Sequence, residues 1–362
     1  MEIIYQQEKD KQPIYDMYQK IFHDPEEFAD YYFEEIYATN QVVLAKEEDK
    51  ILGMIHLNPY EIKAGKKTYT LNYIVAVSVW KEYRRRGIMA AMLKRCLNDM
   101  HKQKQPFTYL MPANKEYYEP FQFRFVMDWE ESVIGKEHTN GRYKKNKDEK
   151  IIPIHSKDYR KIQLFLQQFM HPYKIYTMPN EQYLRRLTKE NKSGDGNLMA
   201  YYKDDTLQGV FAESFEEDKV YIRWAYSYKP EHMLEVLRQR YAGKTIYITE
   251  GNLTKGEKEP KIMARITNLT VWGEILQAKD DFSFRLLVKD PYIKDQDGVF
   301  EFKSLNHNIT IQRVDAQEWE GEISIDELTQ VFFDYDAGQI LNKHEYLKDI
   351  VPAGPVYISE EV

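Results

Sequence analysis

The stretch that most limits how this chain can fold is residues 69–126, and within it the run 74–88. Ile74, Val75, Ala76, Val77 and Val79 are apolar and mostly β-branched, which suits a strand covered on both faces. Arg84, Arg85 and Arg86 then precede Gly87, after which apolar residues recur at helical spacing over 88–97. The pattern predicts a buried strand, a short basic loop and an amphipathic helix. Such a junction suits an anion. The first-turn N–H groups have no intrahelical partner, the helix dipole adds partial positive charge, and the arginines add whole charges.

Neither the G-x-x-x-x-G-K-[ST] loop of triphosphate binders nor the G-x-G-x-x-G turn of dinucleotide binders occurs here. Instead, Arg84-x-x-Gly87 after a V-x-V strand resembles the acetyl-CoA pyrophosphate loop of the GNAT superfamily of N-acetyltransferases. The usual form is R-x-x-G-x-[GA]; this chain departs from it, with Met89 in the last position and Ala90 one later. Three arginines before the glycine, with bulky residues after it, resemble the enhanced-intracellular-survival (Eis) type. The resemblance implies acetyl-CoA as co-substrate. Its pantetheine arm would lie along Ala76, Val77, Ser78 and Val79, and its pyrophosphate on Arg84, Arg85, Arg86, Gly87, Ile88 and Met89, with Asn114 also at the cofactor. Residues 107–126 look like the superfamily's next unit, a strand, a short helix and an F-Y-x-x-F-G-[FY] turn. Tyr118 falls where that pattern carries its tyrosine, and Gln122 stands where glycine is usual. With 29 tyrosines in the chain, position and not abundance is the argument.

At 362 residues the chain has room for two or three cores. Its 51 basic and 58 acidic residues give a net charge of −7, which argues against sequence-independent nucleic-acid binding and suits cationic small molecules. The single cysteine, Cys96, excludes an intrachain disulfide or a cysteine zinc site; it reads as a small core residue, or more sharply as an acyl carrier. No metal is expected. The N-terminus lacks a basic start and apolar core, and no apolar run approaches ~20 residues, so a soluble cytoplasmic protein without a membrane partner is expected.

Residues 12–37 read as helical with a break at 23–25, and the second half crowds acids with aromatics. The plain reading is a solvated acidic face. The resemblance implies instead a wall of the acceptor pocket, with Asp24, Glu27, Asp30, Glu34 and Glu35 holding an ammonium group. Residues 41–46 and 51–57 read as a hairpin, and residues 1–135 form one α/β unit. The polar run 135–150 reads as a linker. Over 151–251 a similar element order returns without an Arg-x-x-Gly, which reads as a second, degenerate GNAT-like fold. Residues 260–362 place strands before late helices, an α+β sheet domain in which Ser324 or Asp326 caps a helix. This unit looks like the sterol-carrier-protein-like domain that closes the Eis type.

The overall expectation is α/β and α+β: two tandem GNAT-like domains followed by a sterol-carrier-protein-like sheet domain. The extended tail, with apolar Val356, Tyr357, Ile358 and Val362, fits a docked end. The resemblance makes Tyr118 the acid, the Val362 carboxylate the base and Glu361 a contact to acceptor, and it suggests a hexamer. Two functions fit: N-acetylation of a small amine of the aminoglycoside or polyamine class, or non-catalytic binding of an acyl-CoA or apolar ligand.

Overall fold

The computed structural model describes residues 1–138 and 148–360. The first unit runs β1 (Glu2–Tyr5), α1 (Lys11–Phe22), α2 (Glu26–Tyr31), β2 (Gln41–Glu47), β3 (Lys50–Ala64), β4 (Lys67–Val79), α3 (Ile88–Lys102), β5 (Phe107–Leu110) and β6 (Arg124–Ile134). The strand, basic loop and helix expected around Gly87 are β4, its following loop and α3. The break between α1 and α2 arises as expected, because His23 turns left-handed at φ 59° and Pro25 cannot extend the helix. One face of α3 buries Ile88, Met92, Leu93, Cys96, Leu97 and Met100. Burial pushes the Cys96 thiol up to about 12, so it packs as a sealed core residue and supplies no thiolate.

The second unit runs β7 (Glu149–Pro153), α4 (Tyr159–Gln167), β8 (Ile175–Thr177), α5 (Glu181–Ser193), β9 (Asn197–Lys203), β10 (Thr206–Glu216), β11 (Lys219–Ser227), α6 (Pro230–Arg240) and β12 (Thr245–Gly251). Next comes β13 (Glu257–Ile266). A single sheet carries both units, in the order β1-β2-β3-β4-β5-β13-β6-β12-β11-β10-β9-β7. The position of β13 differs from the sequence reading, which has residue 260 open the last domain. Met263 instead pairs with Leu110 of β5 on one side and Phe125 of β6 on the other. Burial explains this, since Ile262, Met263, Ala264 and Ile266 are all fully covered, which only a central strand allows. The fully buried Arg265 guanidinium then bonds the Asp290 carboxylate at 2.6 Å and the Phe121 carbonyl at 2.9 Å. Each charge is matched, as burial requires.

The rest is α7 (Leu269–Trp272), β14 (Gln277–Ala278), β15 (Ser283–Lys289), β16 (Gly298–Leu305), β17 (Asn308–Arg313), β18 (Gly321–Ser324), α8 (Ile325–Phe333), α9 (Gly338–Lys343), β19 (Ile350–Val351) and β20 (Val356–Tyr357). Its sheet runs β18-β15-β16-β17-β14-β19. Of the two capping candidates it is Ser324 that caps α8, in a reciprocal box with Glu327, while Asp326 pairs with Arg124 of the first unit. Phe333 and Trp272 pack on Phe107 of β5. The tail returns to the large sheet: β20 pairs in parallel with β8, and β8 pairs with the far half of the long β3 through Ile62 and Thr177.

Candidate active site

Between Met54–Ser78 and His56–Val75 the register advances two residues on β3 and three on β4. The extra residue is Ala76, which takes φ 51°. This is a β-bulge. A non-glycine residue held left-handed in a strand is strained, and such strain persists only where the surroundings enforce it. Beyond the bulge β4 keeps its partner on the β3 side, while on the other side, among the described residues, its pairing with β5 is at Tyr73–Tyr109 alone. A wedge opens there, and the main chain of Ala76, Val77, Ser78 and Val79 borders it. Among the described residues the buried Ser78 hydroxyl has no hydrogen-bond partner. An extended amide chain can add to such an edge by main-chain hydrogen bonds.

The second unit carries the same bulge without the wedge. Trp224 of β11 takes φ 55°, yet β11 pairs with β12 from Lys219–Thr245 through Ala225–Gly251. A Cβ on Gly251 would lie 2.1 Å from the Ala225 carbonyl, so these strands leave no room for a ligand between them.

At the end of β4 the chain makes one turn over Lys81–Tyr83 and enters the arginine loop. Arg85 is left-handed at φ 63° and Gly87 at φ 76°. Open space surrounds the Cβ position of Gly87, so conformation and not crowding calls for glycine. Gly87 heads α3 without a side-chain cap, leaving first-turn N–H groups free for an anion. Ile88 is buried, Met89 half-buried, and all three arginines are exposed. Arg84 Nε donates to the Val79 carbonyl at 3.1 Å, which ties the loop to the strand end. The Arg86 guanidinium lies 5.2 Å from the centre of the Tyr83 ring. Replacing Arg84 and Arg86 with alanine is expected to weaken acetyl-CoA at least tenfold, since charge-assisted phosphate contacts are worth about 1.5–3 kcal/mol each. Calorimetry checks this, and unchanged affinity would show that the loop has another role.

Past β5, Asn114 caps the next turn by accepting from the Glu116 N–H at 2.9 Å. Tyr118 follows, 8% exposed, its backbone carbonyl accepting from Phe121 and Phe123. Gln122, where glycine is usual, adopts φ 63°, so the turn keeps its left-handed residue despite the side chain. Burial pushes the Tyr118 phenol up to about 12.

The acidic helix divides. Glu35 pairs with Lys189 and, at 2.7 Å, with Arg185, and Lys189 first and Arg185 second hold it below the usual carboxylate range. Asp24 accepts the Tyr18 hydroxyl at 2.6 Å and Asp30 that of Tyr15 at 3.2 Å. Glu27 and Glu34 are exposed. Beneath α2, Tyr32, Asn40, His56 and Asn58 form a buried polar cluster that sequence reasoning missed. Burial depresses His56 to about 3, so its imidazole is neutral there.

The tail runs beside α5. Ile358 donates its N–H to the Met127 sulfur at 3.1 Å, and Ser359 meets the Tyr183 hydroxyl at 3.1 Å. Glu360 follows, 2% exposed, among Tyr60, Tyr109, Thr177, Tyr183 and Arg186. Glu361 and Val362 lie outside the described residues. Sequence reasoning missed Glu360, whose one signal is an acid directly after the anchors Tyr357 and Ile358.

Residues 2–126 match the acetyltransferase (GNAT) domain family. The match spans about a third of the chain, and it holds the bulge, the arginine loop and Tyr118. GNAT domains use acetyl-CoA as co-substrate. Over nearly its whole length the chain is similar in fold to a number of solved structures, three of which serve as examples. One is a conserved protein of unknown function from Enterococcus faecalis V583, described as a probable N-acyltransferase (16% identity, TM-score 0.78, 97% of this chain and 93% of that one). Another is a GCN5-related N-acetyltransferase from Anabaena variabilis ATCC 29413 (15%, 0.77, 99% of each chain). The third is Eis1 from Mycobacterium abscessus (9%, 0.68, 98% and 94%). No curated protein matches the sequence. Among the described residues no helix is long and apolar enough to cross a membrane, and no group of three His, Cys, Asp or Glu is placed to hold a metal ion.

Proposed function

We propose that this chain transfers an acetyl group from acetyl-CoA to a primary amine of a small cationic acceptor, of the aminoglycoside or polyamine class. The observation that carries the reading is the pairing of one open wedge, at the Ala76 bulge, with the left-handed Arg85–Gly87 loop at its mouth. The second unit, bulged but closed, is read as a degenerate GNAT-like copy. The last unit is read as a sterol-carrier-protein-like domain that carries the tail to the wedge.

The chemistry sets three demands. An amine of pKa ~10.4 must lose its proton, the thioester carbonyl must be polarised, and the leaving thiolate must be stabilised. Main-chain groups of Ala76 to Val79 orient the acyl arm, and Arg84, Arg85, Arg86 and the start of α3 hold the phosphates. Tyr118 keeps its proton at any working pH, because burial raises its phenol to about 12. Complete transfer to a thiolate of pKa ~8.5 is therefore uphill, and Tyr118 serves by hydrogen-bond donation as sulfur gains charge. The Val362 carboxylate is the proposed base, with Glu361 and the exposed acids Glu27, Asp30 and Glu34 drawing in the cation. Acids that attract an ammonium also raise its pKa, so the proton needs a neutral-range acceptor nearby.

A thiol-release assay with acetyl-CoA and a panel of amines tests the reading. Release that depends on the amine supports it. Tight acetyl-CoA binding with no release for any amine would leave a binding protein instead.

A further inference from the structure

The bulge of the second unit meets the tail. Between Val210–Tyr226 and Ala212–Arg223 the register advances two residues on β10 and three on β11, and Trp224 is the extra residue. In a regular strand consecutive side chains point to opposite faces, and a bulge breaks that alternation. Arg223 and Trp224 are consecutive, yet both reach the tail. The Trp224 ring lies 5.9 Å from that of Tyr357, and Arg223 Nη2 donates to the Ser359 carbonyl at 3.5 Å. Tyr183 of α5 completes the corner. Its ring lies 5.0 Å from that of Trp224, and its hydroxyl is 3.1 Å from the Ser359 hydroxyl and 3.4 Å from the Ser359 carbonyl. Arg223 is itself held, with Glu190 at 3.2 Å and Glu250 at 3.9 Å. The tail has need of such support. Its strand pairing ends at Tyr357, and the Ile358 N–H goes to a sulfur, a weak acceptor. A chain end past its last ladder bond frays unless something ties it down. Ser359 is nonetheless fully buried. Val362 is the third residue after it, a reach of at most ~10 Å along an extended chain.

We propose that the bulged strand of the second unit is the dock for the tail, and that Arg223 and Tyr183 are positioning residues for the carboxylate at its end. This rests on the acetyltransferase reading above, in which that carboxylate takes the acceptor's proton. Both residues act through Ser359. A carboxylate on a loose end samples many positions, and a misplacement of about 1 Å can cost on the order of 10²-fold in rate. Two side chains that fix Ser359 shorten the free length of chain to the last three residues. The second unit thereby serves the transfer without holding acetyl-CoA. Beside β4 the bulge borders an open wedge; beside β11 the strand β12 fills that place, and the bulge presents two adjacent side chains to the tail instead.

Carboxypeptidase digestion of the native protein, followed by mass spectrometry, reads the tail directly. It is run on wild type, Arg223→Ala and Tyr183→Phe, with kcat and the KM for acetyl-CoA measured on the same samples using the amine turned over fastest. Tyr183→Phe keeps the ring against Trp224 and removes only the hydroxyl, so it carries the test if Arg223→Ala does not fold. Both variants should release residues 359–362 at least about tenfold faster than wild type. Their kcat should fall by at least about tenfold, with the KM for acetyl-CoA unchanged. Tails released at the wild-type rate, whatever happens to kcat, overturn the dock. Faster release with a wild-type kcat overturns the positioning role. A wild type that binds acetyl-CoA and acetylates no amine defeats the acetyltransferase reading instead, and the release rates still decide the dock.

Discussion

Tyr118→Phe is expected to lower turnover by about 10²–10⁴-fold, the usual worth of a positioned proton donor, while acetyl-CoA binding and folding stay intact. The argument is local. The substitution keeps the ring, so the edge contact with Phe123 at 6.1 Å survives, as do the backbone bonds from Phe121 and Phe123 to the residue 118 carbonyl. Only the hydroxyl is lost. The residue is mostly buried in the turn that follows β5, and burial keeps its phenol protonated. Its contribution therefore comes when sulfur gains charge, in the transition state and not in the ground state, so kcat should fall and the KM for acetyl-CoA should not. A mutant that keeps half the wild-type rate, with chemistry rate-limiting, would make Tyr118 a packing residue.

The parts of the site that local sequence encodes were the legible ones. Arg84-x-x-Gly87 marks the loop because φ 76° asks for glycine and the arginines need no partner to be recognised. The β-branched run 74–79 shows the strand. The bulge at Ala76 leaves no such mark, since alanine at a left-handed position is set by the neighbouring strands and not by its own preference. The same holds for β13. Its apolar run announces a buried strand but not which sheet it enters, and residues 257–266 find their partners at 107–110 and 124–131, far back in the chain. Glu360 was illegible for a third reason. Its surroundings come from β3, β5, β8 and α5, brought together only by tertiary folding, and an acid near a chain end ordinarily reads as solvated. Glu35 shows the converse. It looked available on an acidic helix, and the second unit's Arg185 and Lys189 neutralise it.

Ending the chain at Tyr357 is expected to reduce turnover by at least about 10²-fold, with the large sheet still folded and acetyl-CoA still bound. Val356 and Tyr357 keep their pairing to β8, so the rest of the tail path remains anchored. What disappears is Ile358, Ser359 and Glu360, all buried, together with the two residues beyond. Losing a buried isoleucine alone costs about 2–5 kcal/mol of docking energy, and the aromatic bed of Tyr60, Tyr109 and Tyr183 becomes wet. Water there screens the charges of the pocket. The tail also meets Tyr183 and Arg223 of the second unit, so it joins that unit to the wedge. Displacing reacting groups by about 1 Å can cost on the order of 10²-fold, and here the supporting wall is absent altogether. Circular dichroism and acetyl-CoA calorimetry separate this from global unfolding. A truncated protein that binds acetyl-CoA and acetylates its best amine at the wild-type rate would show that the tail only closes the fold, and the proton acceptor would then be sought near the exposed acids of α2.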